Sequence, residues 1–182
     1  YYEKYNRPII YVNQIGGQDE LVFDGSSIII GFEEENSKIL NSFKTDCASF
    51  NYENLKFTTF MNEDNTDLNE LDDIYDALVL GTKDYVEKNG FKGVIIGSSG
   101  GIDSALTTVI AHDALGREKV KTVMMPFDYT ADISIEDAKS LALNLQISHS
   151  EISIKEMFES FSNSLSESFT GLEVDKTEEN LQ

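Results

Sequence analysis

The sequence has little cysteine and little positive charge. A single cysteine among 182 residues, Cys47, excludes an internal disulfide framework. It stands in Thr45-Asp46-Cys47-Ala48 with no histidine close in sequence, so the partner that would lower a catalytic thiol's pKa is missing. It reads as an inert small residue. The only two histidines, His112 and His149, are isolated and read as surface or packing residues, not metal ligands or bases. Lysine and arginine number 14 against 33 aspartates and glutamates, a formal net charge of −19. Neither nucleic acid nor a membrane surface is expected as a partner on that balance. No stretch approaches the ~18 apolar residues of a membrane span. Nothing resembles a signal peptide, and Tyr1 is not a start methionine, so the expectation is a cytoplasmic protein whose true N-terminus lies elsewhere. There is no internal repeat and no low-complexity tract.

What is present begins with strands. Pro8–Asn13, Glu20–Gly25 and Ser26–Ile30 are apolar runs, with Gly16-Gly17 breaking the chain between the first two. The apolar signal thins from Glu33 to Asn69, and the acidic stretch around Phe60–Asp67 predicts a linker at 59–68. Helical periodicity follows. Leu71, Ile74, Tyr75, Leu78, Thr82, Tyr85 and Val86 share one face, with Asp67 or Asn69 as a cap and Asn89-Gly90 as the stop. Next come a strand at Val94–Ile96, a helix from about Asp103 to Leu115 and a strand at Val120–Met125. Ser134-Ile135-Glu136-Asp137 has the form of a capping box for a helix to about Leu145. A weaker strand at Ile147–Ile152, a helix at Ile154–Phe169 and a helix start at Thr177-Glu178-Glu179 complete the pattern. The alternation implies an α/β fold, a Rossmann-like parallel sheet with helices on both faces.

The segment Gly97-Ser98-Ser99-Gly100-Gly101-Ile102-Asp103-Ser104 joins a buried strand to a helix. Ligands of open α/β sheets sit at the carboxyl ends of strands. Adjacent glycines let the backbone approach a ligand, and the free N–H groups at a helix start favour an anion. Ser99 and Ser104 offer hydroxyls. Asp103 beside a phosphate is unfavourable alone and becomes favourable with Mg²⁺ between them. The plainer alternative is a tight turn with Asp103 or Ser104 as a helix cap. A Walker loop is excluded by the missing Gly-Lys-Ser/Thr, and a dinucleotide fingerprint by the glycine spacing. With a net charge of −19, ATP binding requires backbone amides and a divalent cation to overcome the repulsion.

Ser99–Ser104 resembles the SGGxDS signature of the PP-loop ATP pyrophosphatases, which cleave ATP between its α- and β-phosphates. The wider pattern resembles the glutamine-dependent NAD⁺ synthetases. Tyr85–Gly93, Val123–Pro126 and Tyr129–Ser134 are similar to that family's synthetase domain. Tyr11–Gly25 is similar to the late part of its nitrilase-like glutaminase domain, and Thr177–Gln182 to its Glu-Glu-Asn-x-Gln segment. The resemblance implies residues 1–58 as the end of the nitrilase-like domain, 59–68 as the linker and 69–182 as the first part of the PP-loop domain. It also implies a fragment inactive alone, with the Glu, Lys and Cys of the glutaminase triad upstream of Tyr1; Cys47 does not match them.

The implied reaction is the ATP-dependent amidation of deamido-NAD⁺. The nicotinate carboxylate attacks the α-phosphorus of ATP, pyrophosphate leaves, and ammonia from glutamine displaces AMP from the acyl-adenylate. Gly97–Ser104 would cradle the phosphates and Asp103 would hold Mg²⁺. Asn180 would contact deamido-NAD⁺; alone it reads as a polar residue in a helix's first turn. Met124 and Met125 are open between reading adenine and packing the core. Two departures stand out: Ser98 replaces a frequent Leu or Phe, and Phe127-Asp128 replaces Ser and a varied residue, adding negative charge near the expected adenosine pocket. The whole enzyme is expected to be a homo-oligomer. The alternatives are a nucleotide-binding module without complete catalysis, or another PP-loop enzyme.

Overall fold

A computed structural model describes residues 2–5, 7–31, 37–61, 70–128 and 130–165. The chain divides into two units, Tyr1–Gly90 and Phe91–Gln182. Tyr129, the 177–182 segment and Asn180 lie outside the described residues, as do both residues expected to cap the first long helix.

In the first unit a single turn, α1 (Tyr2–Tyr5), precedes seven strands and a helix. The strands are β1 (Ile9–Tyr11), β2 (Ile15–Gln18), β3 (Leu21–Asp24), β4 (Ile28–Ile30), β5 (Ser37–Ile39), β6 (Ser49–Glu53) and β7 (Lys56–Met61), and the helix is α2 (Glu70–Lys88). β1, β4 and β5 form an antiparallel sheet with β4 central. β2 pairs with β3 and β6 with β7 as hairpins. The core is small: Ile29 and Phe57 are buried, with Leu40 and Phe50 against them and the Phe50 and Phe57 rings 4.7 Å apart edge to face.

Three expectations change here. Gly16-Gly17 does not break the chain but lies buried within β2. The thin region after Glu33 holds a hairpin whose turn, Asn54-Leu55, takes positive φ at both residues (50° and 64°), as a two-residue turn of this kind needs. A leucine there gives no turn signal, which is why composition hid it. β7 reaches Met61, and residues 62–69 are outside the described set.

α2 also differs from its periodicity. Leu71, Ile74 and Leu78, on the expected apolar face, are exposed. The face that packs on the β2–β3 hairpin carries Gly81, Asp84 and Lys88. A Cβ on Gly17 would lie 3.1 Å from the Gly81 Cα, and one on Gly81 would lie 3.1 Å from Val22 Cγ2. Helix and strand approach so closely because neither carries a side chain at the crossing. The Gly17 N–H donates to Asp84 Oδ2 (2.7 Å), and Lys88 Nζ donates to the Gly17 carbonyl (2.7 Å) and pairs with Asp84 Oδ2 (2.9 Å).

The second unit is β8 (Val94–Gly97), α3 (Ile102–Leu115), a 3-10 turn at Arg117–Lys119, β9 (Val120–Met124), α4 (Asp132–Asn144), β10 (Ser148–Glu151) and α5 (Lys155–Leu165). The three strands are parallel in the order β10-β9-β8. Both crossovers step the same way, and right-handed connections then put α3 and α4 on one face. Burial agrees. Thr122, paired with Ile96 and His149, is buried, whereas Ile95, paired with Lys121, is 73% exposed. α3 packs on β8 and β9, and α4 on β9 and β10. Gly116 stops α3 at φ +78°, with its N–H on the His112 carbonyl. The capping box is not formed: α4 starts three residues earlier, its cap is Ala131 with no side-chain hydrogen bond, and Ser134 lies in the first turn.

Asp84 generates a pH test. Burial raises its pKa, but hydrogen bonds from Lys88 and the Gly17 N–H and the charges of Lys88 and Lys83 outweigh it, so the net shift is below the ordinary 3.8. A depressed carboxylate contributes stability that is full above the unfolded value and lost as pH falls through the folded one. Acidification below about pH 4 is therefore expected to loosen α2 from the hairpin and speed hydrogen exchange at the Gly17 amide, normalised for intrinsic chemistry. Asp84→Asn removes that pH dependence; exchange with the same acid limb in the variant would contradict the assignment.

Candidate functional site

β8 ends at Gly97, and the loop after it is built from its own backbone and two hydroxyls. Ser98 is buried (6% exposed) and its N–H donates to the Val123 carbonyl of β9 (2.9 Å), which ties the loop to the sheet. This polar residue therefore sits where an apolar one is frequent and acts as an anchor. The Ser99 N–H donates to Ser104 Oγ (3.2 Å), and Ser104 Oγ donates to the Gly101 carbonyl (3.0 Å). A hydroxyl has one proton, so in the 3.1 Å contact between the two hydroxyls Ser99 is the donor. Ser99 Oγ also accepts the Gly101 N–H (3.2 Å). Ser104 thus braces the loop, and neither it nor Asp103 is the helix cap; that position is Gly101, without a side-chain bond.

Gly100 has φ +77°, and a Cβ on it would lie 2.2 Å from the Ser134 carbonyl oxygen. No other residue type fits. The contact brings the first turn of α4 against the loop that starts α3. The first amide of α3 to find a partner is Ala105, on the Gly101 carbonyl (3.1 Å). The N–H groups of Ile102, Asp103 and Ser104 have no acceptor among the described residues, as the first turn of a helix requires. Open amides at a helix start, together with the helix dipole, are suited to an anion. The Ile102 side chain is 80% exposed, so its amide is the group it offers. The Asp103 carboxylate is exposed, and among the described residues nothing bonds to it.

Two residues that the sequence reading passed over hold the helix start in place. Thr107 Oγ1 donates to the Asp103 carbonyl (2.8 Å), and the fully buried Thr108 donates to the Ser104 carbonyl (2.7 Å). Their signal was the i+4 spacing of two threonines from Asp103 and Ser104. Of the methionine pair, Met124 is buried core and Met125 is exposed, its Cε 3.8 Å from where a Cβ on Gly97 would stand. The charge of Asp128 is offset by Lys155, which donates to both carboxylate oxygens (3.1 and 3.0 Å); that hydrogen bond and charge raise the Lys155 pKa. The Phe127 and Phe158 rings are 4.5 Å apart beside it.

Elsewhere, Cys47 is exposed, with its N–H donating to Asp46 Oδ1 (2.6 Å). His149 Nδ1 meets Thr122 Oγ1 (2.9 Å) between strands, and His112 Nδ1 lies 3.0 Å from Asp113 Oδ1. Among the described residues no group of three His, Cys, Asp or Glu could hold a metal, and no helix is long and apolar enough to cross a membrane.

A parallel sheet with a Ser-Gly-Gly-x-Asp-Ser loop at a strand end, followed directly by a helix, defines a PP-loop α/β fold. The family model of NAD synthase matches residues 74–182. The chain belongs to the NAD synthase family. It is 43% identical over 179 residues to a glutamine-dependent NAD(+) synthetase of Acinetobacter baylyi, covering 97% of this chain and 33% of that protein. With the glutamine-dependent NAD(+) synthetase of Thermotoga maritima it shares 38% identity over 210 residues, 98% of this chain and 36% of that one. The solved glutamine-dependent NAD⁺ synthetase of Acinetobacter baumannii, in complex with adenosine diphosphate, superposes with a TM-score of 0.87 at 44% identity, over 96% of this chain and 33% of that one. The chain thus spans about a third of the length of these relatives.

Gly100→Ala is expected to destabilise the second unit by about 3 kcal/mol, from overpacking against Ser134 and the left-handed backbone. Ser104→Ala loses its brace and costs about 1 kcal/mol. Chemical denaturation of the two variants measures this; equal or reversed costs would mean that the loop is not held at Gly100.

Proposed function

We propose that this chain is part of a glutamine-hydrolysing NAD⁺ synthase, in which Gly97–Ser104 binds the phosphates of ATP. The observation that carries the reading is the trio of open amides at Ile102, Asp103 and Ser104, at the strand end where a PP-loop works. The relatives' names give glutamine as nitrogen source and NAD⁺ as product, and one of them was solved with adenosine diphosphate; ammonia as the transferred nitrogen, ATP as co-substrate and deamido-NAD⁺ as acceptor are what the resemblance in sequence implies. We propose the limits 1–58 for the end of the glutaminase-like part, 59–68 for a linker whose first three residues continue β7, and 69–182 for the start of the synthetase part. Asn180 is proposed to contact deamido-NAD⁺. The whole protein is proposed to be cytoplasmic and homo-oligomeric.

In this reading the loop holds the β- and γ-phosphates so that the α-phosphorus faces the nicotinate carboxylate. The open amides then meet the charge that builds on departing pyrophosphate, which is where stabilisation lowers the barrier. The Ser99 hydroxyl, now directed at Ser104, can turn its proton to a phosphate oxygen without loss of the brace from Ser104 to Gly101. Asp103 is suited to Mg²⁺, since it is exposed and unengaged, and this ion takes one or two carboxylates with phosphates and waters as its other ligands. Bound there, the ion would neutralise phosphate charge that the chain, without a lysine or arginine between Lys92 and Arg117, does not.

In the whole protein, Asp103→Asn is expected to lower the exchange of pyrophosphate into ATP, with deamido-NAD⁺ present, by about a hundredfold or more. Its stability should change by roughly 1 kcal/mol or less, the scale of one charge at a helix start. Near-normal turnover at physiological Mg²⁺ would remove Asp103 from the metal site. Wild-type protein that binds ATP but forms no NAD⁺ from glutamine or ammonia would favour the non-catalytic nucleotide-binding module instead.

A further inference from the structure

The contact between α2 and the β2–β3 hairpin is more specific than packing requires. A greasy helix face would hold the helix while leaving its position along the strand adjustable. Here the helix reads backbone. Asp84 Oδ2 accepts the Gly17 N–H at 2.7 Å, and Lys88 Nζ donates to the carbonyl of the same residue at 2.7 Å. The two side chains, themselves paired at 2.9 Å, take the donor and acceptor that a further strand would use. Gly16 is shaped for this clamp: it has φ +139°, and a Cβ on it would lie 3.0 Å from Asp84 Oδ2 and 3.3 Å from Lys88 Nζ. At the crossing, a Cβ on Gly17 or on Gly81 would each meet a neighbour at 3.1 Å, so the close approach depends on bare backbone there. A slide of one residue along β2 would remove both hydrogen bonds, since the pleat turns the next residue's groups to the other edge.

The clamp lies on a particular border in the sequence. The hairpin, residues 15–24, precedes the NAD synthase match at 74–182, and Asp84 and Lys88 are inside it. Lys88 is the last residue of α2, and only residues 89–93 separate it from β8, the strand that ends in the phosphate loop. The near end of that short link is set by the Gly90 N–H on the Glu87 carbonyl (3.0 Å). Its far end is set by Gly93, whose Cβ would lie 2.3 Å from the Lys119 carbonyl oxygen. A displacement of the hairpin is therefore passed to α2.

We propose that Asp84 and Lys88 are positioning residues that tie the glutaminase-like part to the synthetase part, so that glutamine hydrolysis and amidation stay in step. This rests on the function proposed above. Neither residue touches substrate; they act through Gly17 and the helix.

The test uses the whole protein and compares wild type with Asp84→Ala, Lys88→Met and Lys88→Arg. Glutamine hydrolysed per NAD⁺ formed is measured beside NAD⁺ formation from free ammonia. Asp84→Ala and Lys88→Met are expected to raise the glutamine used per NAD⁺ by about fivefold, with the ammonia-supported rate held within about twofold. Lys88→Arg, which can still donate to the Gly17 carbonyl, should keep the wild-type ratio. If Asp84→Ala does not fold, Asp84→Asn, equal in size but without the ion pair, gives the same comparison. An unchanged ratio in both Asp84 and Lys88 variants, or a parallel fall of both activities, overturns the proposal. Wild type inactive with both nitrogen sources overturns the functional reading and the proposal with it, an outcome distinct from active wild type and unaltered variants.

Discussion

Gly100 and Ser134 touch backbone to backbone, and the loop at residues 97–104 takes its shape from that contact. The missing Cβ lets the loop turn at φ +77° directly against the first turn of α4. With the loop held there and Ser98 pinned to β9, α3 begins at Ile102 with three amides open beside the strand end. The same contact explains why Ser134 is not a cap. A residue whose backbone must lie flat against the loop belongs to the helix's first turn, so the helix begins earlier, at Asp132. Ser99, Ser104, Thr107 and Thr108 then keep the helix start from fraying by bonding to carbonyls and hydroxyls within it.

Charge sets the second constraint. A chain of net charge −19 offers a polyphosphate no general attraction, and its loop has no cationic side chain between Lys92 and Arg117. In the proposed function, attraction comes from oriented amides at short range, where the long-range field counts least, and from a cation at Asp103. The negative charge that Asp128 brings is already met by Lys155, so this departure from the family pattern does not leave a bare carboxylate.

Much of the second unit was legible because its signals are local. A short apolar run, a glycine turn and a 3.6-residue period at 94–115 specify strand, loop and helix, and the structure differs there by a residue or two. The first unit was less legible because its causes are distant in sequence. Gly16 and Gly17 look like a break until α2 arrives 67 residues later to need them bare. The Asn54-Leu55 turn carries a leucine in a conformation that favours glycine or asparagine, so neighbours, not propensity, decide it. The apolar stripe of α2 predicted its existence and its buried Val86, but not its contact with the hairpin, because the face packed there carries a glycine and two charges. The loop's bracing by Thr107 and Thr108 was hidden for the same reason: a hydroxyl bonding one turn back leaves no mark in composition.

The central claim is that the open amides of Ile102, Asp103 and Ser104 hold the phosphates of ATP. Hydrogen–deuterium exchange on peptides spanning residues 97–106 of the whole protein, with and without Mg²⁺ and ATP, tests it most directly. The account predicts strong slowing at these three amides on ATP addition, and little change when adenosine replaces ATP. ATP binding that leaves their exchange unaltered would contradict it.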